Sequence, residues 1–288
     1  MQQVSSFQNQ NSGTLYLVPT PIGNLDDMTF RAVKVLTEVD LIAAEDTRHT
    51  QQLLNHFDIH TPEISFHEHN TEQRIPELIG KLKAGLTIAQ CSDAGMPSIS
   101  DPGKELVAAA VKEGIPVVPL PGANAGLTAL IASGLVPQPF YFYGFLERKH
   151  QQQVQELEQL RNRSETMIFY EAPHRLKKTL KVMAEVFGDD RQAVLARELT
   201  KRYEEFSRGS LAELTAFYDE HQPRGEYVVL IAGNPHPDED IQNDEVGTPI
   251  EQVDQKISEG LSTNAAIKLV AKKNKLNRQE LYKQYHNI

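Results

Sequence analysis

Short apolar runs alternate with longer amphipathic segments over the first half of the chain. The runs have the length of buried strands and lie at residues 15–18, 41–44, 64–66, 86–89 and 116–120. Between them, apolar residues recur three and four positions apart, as at Leu78, Ile79 and Leu82, which is typical of a helix that packs on one face. Repeated units of this kind predict a parallel sheet. We assign them to an α/β domain over residues 14–145 that ends with the aromatic strand 140–145.

The second half of the chain has a different order of elements. A helix is expected to bury Leu176, Leu180 and Met183, and Ser210 with Glu213 forms the capping box of another helix. Strands are predicted at residues 166–170, 193–196, 204–208 and 226–232. The third of these strands closely follows the second and is expected to pair with it. Residues 146–234 are therefore predicted to form an α+β domain.

The ends of the chain differ from these domains in composition. Residues 1–13 are rich in Gln, Asn and Ser, which predicts a disordered leader and not a signal peptide. Residues 235–250 carry acidic side chains and no Lys or Arg, as in a flexible linker. Residues 251–288 predict a small basic helical module. Its lysines suggest contact with nucleic acid, but a solvated helix face explains them as well.

Composition narrows the classes of function. The net charge of −10 argues against a protein that coats nucleic acid non-specifically, although it leaves room for a local basic groove. The single cysteine, Cys91, excludes an internal disulfide and fits a reducing cytosol, so a cytoplasmic protein is expected. No apolar run approaches the ~20 residues of a membrane span, and no membrane partner is expected.

The most distinctive loop of the chain follows the strand at 86–89. Residues 92–103 contain Asp93, Asp101 and several prolines and glycines, a composition that continues neither a strand nor a helix. Connections in α/β proteins are usually shorter, and ligands bind beyond the carboxyl ends of parallel strands. The loop is therefore predicted to bind a ligand rather than merely to connect two elements.

Other strand ends also carry polar or small residues. Glu45, Asp46 and Arg48 follow the second strand, where Asp46 can bind a ligand, cap a helix or do both. The small residues of 121–126 open a helix and let a ligand approach its backbone N–H groups, with tight packing as the alternative. The histidines that flank Glu68 have no third ligand at a recognisable spacing, so no metal site is predicted.

One known family resembles this chain in several long motifs. Its signature is similar to the loop 92–103, which reads Ser-Asp-Ala-Gly-Met-Pro-Ser-Ile-Ser-Asp-Pro-Gly. Further similar segments lie at residues 15–25, 41–48, 169–175 and 196–201. The family is the RsmI family of 16S ribosomal RNA ribose 2′-O-methyltransferases, which modify a cytidine of the decoding centre. One departure is Pro121-Gly122-Ala123-Asn124, where the family usually has Pro-Gly-Pro followed by Ser or Cys.

The resemblance implies a fold, a cofactor and a substrate. The fold would be the tetrapyrrole-methylase-like two-domain fold of class III methyltransferases. The cofactor would be S-adenosylmethionine, the substrate 16S ribosomal RNA of the small ribosomal subunit, and the assembly a homodimer. The cofactor would lie between the two domains and contact Pro21, Asp93, Met96, Ala123, Asn124, Ala125, Tyr170, Gly225 and Glu226.

Methyl transfer to RNA requires two further groups of site residues, one that binds phosphates and one that accepts a proton. The basic side chains that would hold RNA phosphates are those of Arg48, His174, Arg175 and Arg197. Methylation of a ribose hydroxyl needs orientation in a water-poor cleft and a group that accepts the proton. The candidate acceptors, which the sequence does not rank, are Glu45, Asp46, Glu198 and Lys201.

Two other functions are compatible with the sequence. A tetrapyrrole methyltransferase would use the same fold and cofactor with a carbon acceptor. An RNA-binding assembly factor would perform no catalysis. The basic residues after Glu171 favour RNA over a porphyrin, and the loop around Asp93 favours an enzyme that uses a cofactor.

Overall fold

The structure is a computed structural model that describes residues 1, 3, 5, 6, 12–237, 248–258, 260–274 and 276–286. Contacts divide the chain into two compact units, residues 1–158 with 165–232 and residues 159–164 with 233–288. Most of the predicted leader 1–13 and of the acidic linker 235–250 lies outside the described residues. None of the helices in the described ranges is long and apolar enough to cross a membrane.

The first unit contains a five-stranded sheet in which every neighbouring pair of strands is parallel. The order is β3-β2-β4-β1-β5, with β1 Leu15–Leu17, β2 Leu41–Ala44, β3 Glu63–Ser65, β4 Ile88–Cys91 and β5 Val117–Pro119. Strands β2 and β4 are almost fully buried, because helices cover both faces of the sheet. The predicted parallel sheet is confirmed.

Helices lie on both sides of this sheet, α1 (Phe30–Glu38), α2 (Thr47–His56), α3 (Thr71–Lys83) and α4 (Lys104–Lys112). Residues of α1 and α2 pack with Ile42 in one apolar core, and residues of α3 and α4 pack with Ala43 in another. Neighbouring residues of β2 thus face opposite sides. The predicted burial of Leu78, Ile79 and Leu82 is confirmed.

A second, mixed sheet completes the first unit. Its strands run in the order β6-β7-β10-β8-β9, with β6 Phe140–Phe145, β7 Thr166–Glu171, β8 Gln192–Arg197, β9 Glu205–Ser210 and β10 Tyr227–Ile231. The antiparallel pairing of β8 with β9 confirms the predicted pair. Strand β6, which the sequence pattern placed at the end of the first domain, pairs with β7 in this second sheet. The division of the chain into the domains 14–145 and 146–234 stays a prediction.

Helices also cover the second sheet, α5 (Ala125–Ser133), α6 (His150–Glu158), α7 (Pro173–Phe187) and α8 (Leu211–Glu220). Although α5 follows the last strand of the first sheet, its residues Ala129 and Leu130 pack on Ile168 and Val228 of the second. The predicted buried face of α7 is confirmed, as is the capping box at Ser210. Because α5 packs on the second sheet, the loop before it lies where the two sheets meet.

The second unit is helical, as the sequence predicts. It contains α9 (Pro249–Ser258), α10 (Thr263–Lys273) and α11 (Arg278–His286) around a core that includes Val253, Ile267 and Leu281. Lys268 and Lys283 are exposed. A contact between this module and nucleic acid stays a prediction.

Candidate active site

The loop 92–103 is attached to the first loop of the chain. Thr20 and Gly95 exchange two backbone hydrogen bonds of 3.0 Å, and the Thr20 hydroxyl donates to the carbonyl oxygen of Ser92 at 3.1 Å. Gly95 has φ of +81°, and a Cβ at this position would lie 3.3 Å from Ile22. A glycine is therefore needed for this close approach. The loops after β1 and β4 form one joined surface at the carboxyl edge of the first sheet.

A cavity of about 490 Å³ lies between this surface and the second sheet, within the size range of small-molecule sites. Its apolar walls include Ile22, Met96, Ala125, Leu199 and Val228. Its polar side chains include Asp101, Asn124, Tyr170, Glu198, Lys201 and Glu226. Since the acidic side chains outnumber the lysine, the cavity attracts cationic ligands.

The start of α5 forms one side of the cavity. Asn124 caps the helix, because its side-chain oxygen accepts from the Leu127 N–H at 2.8 Å. The Gly126 N–H donates to the Tyr170 hydroxyl at 3.1 Å, which fixes the Tyr170 side chain. Burial raises the pKa of Tyr170, so its hydroxyl stays neutral. The small residue Ala125 leaves this part of the backbone accessible to a ligand.

On the opposite side, β8 ends in a turn where Glu198 and Thr200 have φ of 50° and 66°. Non-glycine residues with this backbone conformation are concentrated at functional sites. The Glu198 N–H donates to the Glu226 carbonyl at 3.1 Å, and the Glu226 N–H donates to Glu198 Oε1 at 3.1 Å. Lys201 Nζ lies 3.0 Å from Glu198 Oε1 and 3.6 Å from Glu226 Oε2. A Cβ on Gly225 would lie 2.5 Å from the Glu198 carboxyl, so glycine is required there.

These contacts determine the charges of the two central side chains. Although burial favours the neutral acid, hydrogen bonds from Lys201 and the Glu226 backbone hold the pKa of Glu198 below its ordinary value. Burial likewise favours neutral Lys201, but its bonds to Glu198 and Glu226 raise the pKa of the ammonium group. At neutral pH, Glu198 is therefore a carboxylate and Lys201 a cation.

The structure separates the two aspartates of the loop. Asp93 does not line the cavity, because its Oδ1 accepts from the Asp46 N–H and its Oδ2 lies 3.2 Å from His49 Nδ1. Asp101 lines the cavity instead. Burial raises the pKa of the Asp101 carboxyl, and the charges of Asp93 and Glu68 add to this effect. The sequence offered one signal for Asp101, its presence in the same motif.

The predicted cofactor residues fall into two groups. Those that line the cavity are Met96, Asn124, Ala125, Tyr170 and Glu226. Those that lie beside lining residues without lining the cavity are Pro21, Asp93, Ala123 and Gly225. The structure thus brings most of this set around one cavity, while the assignment of each residue to the cofactor stays a prediction.

The predicted proton acceptors are likewise divided. Glu198 and Lys201 line the cavity, whereas Glu45 and Asp46 do not. Asp46 caps α2 and binds the Arg48 guanidinium at 2.6 and 3.0 Å, and this contact strongly lowers its pKa. Glu45 accepts from the Asp93 N–H at 3.2 Å, and burial raises its pKa. In the described part of the chain, no three His, Cys, Asp or Glu side chains are grouped to hold a metal ion.

The predicted phosphate-binding residues are not gathered at one place. His174 and Arg175 line a second groove of about 1070 Å³, whereas Arg48 and Arg197 line neither cavity. Arg197 is paired with Glu205 at 2.7 Å. The second groove shares Phe145, Glu171 and Ala172 with the first cavity, so the two are continuous.

Comparison with known proteins identifies the family. Residues 14–215 match the family of Tetrapyrrole (Corrin/Porphyrin) Methylases. Over 100% of both chains, the protein is 54% identical to ribosomal RNA small subunit methyltransferase I of Streptococcus pyogenes serotype M18. The chain belongs to the ribosomal RNA small subunit methyltransferase I family. The Bacillus subtilis protein of this family is 52% identical over 99% of this chain and 98% of its own length. The resemblance predicted from the motifs is confirmed.

The fold of this family member is also found in a solved methyltransferase structure. Uroporphyrin-III C-methyl transferase from Thermus thermophilus, complexed with S-adenyl homocysteine, superposes with a TM-score of 0.56. The match covers 76% of this chain and 97% of that chain at 16% identity. The predicted tetrapyrrole-methylase fold is therefore confirmed.

Proposed function

We propose that this protein transfers a methyl group from S-adenosylmethionine to the ribose 2′-hydroxyl of a cytidine in 16S ribosomal RNA of the small ribosomal subunit. The observation that carries the proposal is the full-length identity of 54% to a ribosomal RNA small subunit methyltransferase. A tetrapyrrole substrate is not favoured, because the superposed tetrapyrrole enzyme is only 16% identical. If the protein were an assembly factor without catalysis, the cavity lined by Asp101, Glu198 and Glu226, hereafter the acidic cavity, would have no role.

The lining of the cavity fits the cofactor. When bound, S-adenosylmethionine supplies a methyl group on a positively charged sulfur. Asp101, Glu198 and Glu226 complement a net positive ligand, and Met96 and Leu199 keep water away from it. Of the neighbouring predicted residues, Asp93 holds its loop by accepting from the Asp46 N–H, and Gly225 leaves room for the Glu198 carboxyl.

Glu198 is the proton acceptor that the geometry favours. Of the predicted candidates only Glu198 and Lys201 line the cavity, and Lys201 is already protonated at neutral pH. Both hydrogen bonds to the Glu198 carboxylate use Oε1. We therefore infer that Glu198 accepts the ribose hydroxyl proton at Oε2, while Lys201 keeps the carboxylate in place.

A direct assay tests this function. The purified protein is incubated with methyl-labelled S-adenosylmethionine and either small ribosomal subunits or free 16S ribosomal RNA. We expect label in the 2′-O-methyl group of one cytidine, with little label when the Glu198→Gln variant is used. Label on a nucleobase, or on a precorrin offered in parallel, would contradict the proposal. Using both acceptors also shows which one is the substrate.

We further propose that the protein is a cytoplasmic homodimer. A ribosomal RNA substrate and the buried free thiol of Cys91 support the location. Exposed apolar side chains in and after α5 support a subunit interface, since Ile131 is 81% and Val136 69% exposed. Sedimentation equilibrium is expected to give twice the chain mass of 32.3 kDa, and the Ile131→Asp variant the single mass. A monomeric parent protein would contradict the dimer.

A further inference from the structure

Phe145 lies where the acidic cavity meets the second groove. It is the last residue of β6, lines both cavities and is 56% exposed. Its ring centroid lies 5.5 Å from that of Tyr170, which the Gly126 N–H holds in place. A ring that is more than half exposed beside a cavity can stack on a planar group of a ligand.

The backbone of β6 directs Phe145 to this position. The register between β6 and β7 shifts between Phe142 and Gly144, and Gly144 has φ of 88°. As a result, Phe145 pairs with Tyr170. Bulges of this type re-aim side chains and are common beside active sites.

A buried ion pair then fixes the segment that follows Phe145. Arg175 donates to the carbonyl oxygens of Leu146 and Glu147 at 2.8 and 2.9 Å. Its Nε lies 3.1 Å from Glu171, whose side chain is 1% exposed. The sequence assigned Arg175 to RNA phosphates, but these contacts make it a positioning residue for the chain around Phe145.

Basic side chains continue from Phe145 along the second groove, beside the acidic Glu147 and Glu185. Arg148, His174 and Lys178 line it and are exposed. None of these three side chains has a hydrogen bond or an ion pair with another described residue. By contrast, His150 in the same groove is paired with Glu185. The three unpaired groups are therefore available to phosphates.

We propose that Phe145 stacks on a base of single-stranded RNA at the mouth of the cavity, while Arg148, His174 and Lys178 bind the adjacent phosphates. The inference rests on the proposed RNA methylation and adds the path of the strand. A ring can stack on a base only where that base is unstacked from its neighbours, as in single-stranded loops and bulges of RNA, so the proposal commits to a single-stranded segment. Base stacking on an aromatic ring beside a cationic groove is the usual way to bind such a segment.

The stacking step is tested with Phe145→Ala and the conservative Phe145→Tyr in the full-length protein. Phe217→Ala is the matched control, because Phe217 is 44% exposed and lines neither cavity. The probe is a short single-stranded oligoribonucleotide with the fluorescent base pyrrolocytidine. We expect Phe145→Ala to weaken its binding about 10-fold or more and to abolish the quenching of fluorescence by stacking. Phe145→Tyr and Phe217→Ala should retain both.

Calorimetry with S-adenosylmethionine distinguishes a role of Phe145 in RNA binding from a role in cofactor binding. If Phe145→Ala weakens cofactor binding as much as RNA binding, Phe145 belongs to the cofactor site and the proposal is wrong. Unchanged RNA binding in this variant also overturns it. If the parent protein methylates no ribosomal RNA, the proposed function fails instead, which is a distinguishable result.

The phosphate path has its own test. Lys178→Gln is expected to reduce the dependence of log affinity on log salt concentration by about one unit, as for the loss of one phosphate contact. Lys112→Gln is the control, since Lys112 is exposed on α4 and lines neither cavity. If the parent and Lys178→Gln proteins show the same salt dependence, the second groove does not bind the RNA phosphates.

Discussion

Replacing Asp101 by Asn is expected to weaken binding of S-adenosylmethionine by about 10-fold to 100-fold, the usual loss for a hydrogen bond to a charged group. Asp101 lines the acidic cavity, and its carboxyl is close enough to Asp93 and Glu68 for their charges to raise its pKa. The substitution preserves shape and removes one negative charge. Calorimetric titration of both proteins with the cofactor measures the effect, and thermal unfolding checks that the fold is retained.

Asp93→Asn is the matched control for this prediction. Asp93 belongs to the same loop, but its carboxylate contacts the Asp46 N–H and His49 instead of the cavity. We therefore expect a smaller loss of cofactor affinity than for Asp101→Asn. The reverse order would return the main role to Asp93, as the family resemblance implies.

The pH dependence of binding gives an independent check. Burial raises the pKa of Asp101 above the ordinary 3.8, and a cationic ligand binds the ionised carboxylate. The affinity for S-adenosylmethionine should therefore be highest at pH values above this raised pKa, and it should decrease as the pH falls through the pKa. Asp101→Asn should remove this part of the pH dependence. If the affinity falls in the same way in the parent and Asp101→Asn proteins, another titrating group causes the pH dependence.

The choice between the two aspartates shows what the sequence can and cannot predict. The strands, helices and the ligand-binding loop follow from local patterns, because buried strands are apolar and covering helices are amphipathic. The direction of each side chain in the loop depends on partners from elsewhere in the chain, such as the Asp46 N–H for Asp93. No local pattern contains that information.

Contacts with distant parts of the chain also explain the other differences between the sequence predictions and the structure. Strand β6 was recognised as a strand, but its sheet is decided by its pairing with β7. Arg175 was recognised as a basic residue near the site, but its role depends on the carbonyl groups of Leu146 and Glu147. Phe145 was predicted only as part of an aromatic strand, and the bulge at Gly144 decides where it points.

Replacing Glu198 by Gln is expected to lower kcat about 10²-fold to 10⁴-fold, the usual contribution of a general base. Gln retains the oxygen that accepts from the Glu226 N–H and Lys201. It cannot accept the ribose proton. Single-turnover methylation at saturating cofactor isolates this step. The control is Glu226→Gln, which also removes a cavity carboxylate near Lys201 and should lower kcat much less.

The pH profile of the parent enzyme distinguishes Glu198 from Lys201 as acceptor. Lys201 and the Glu226 backbone hold the pKa of Glu198 below 4.5, so the carboxylate is ready to accept a proton throughout the neutral range. The rate should be level there and fall only at acidic pH. Lys201→Met removes the stabilising cation, raises the pKa of Glu198 and should move this acidic decrease to higher pH. If Lys201 were the acceptor, the parent rate would instead rise with pH across the neutral range, because its ammonium pKa is raised above 10.5.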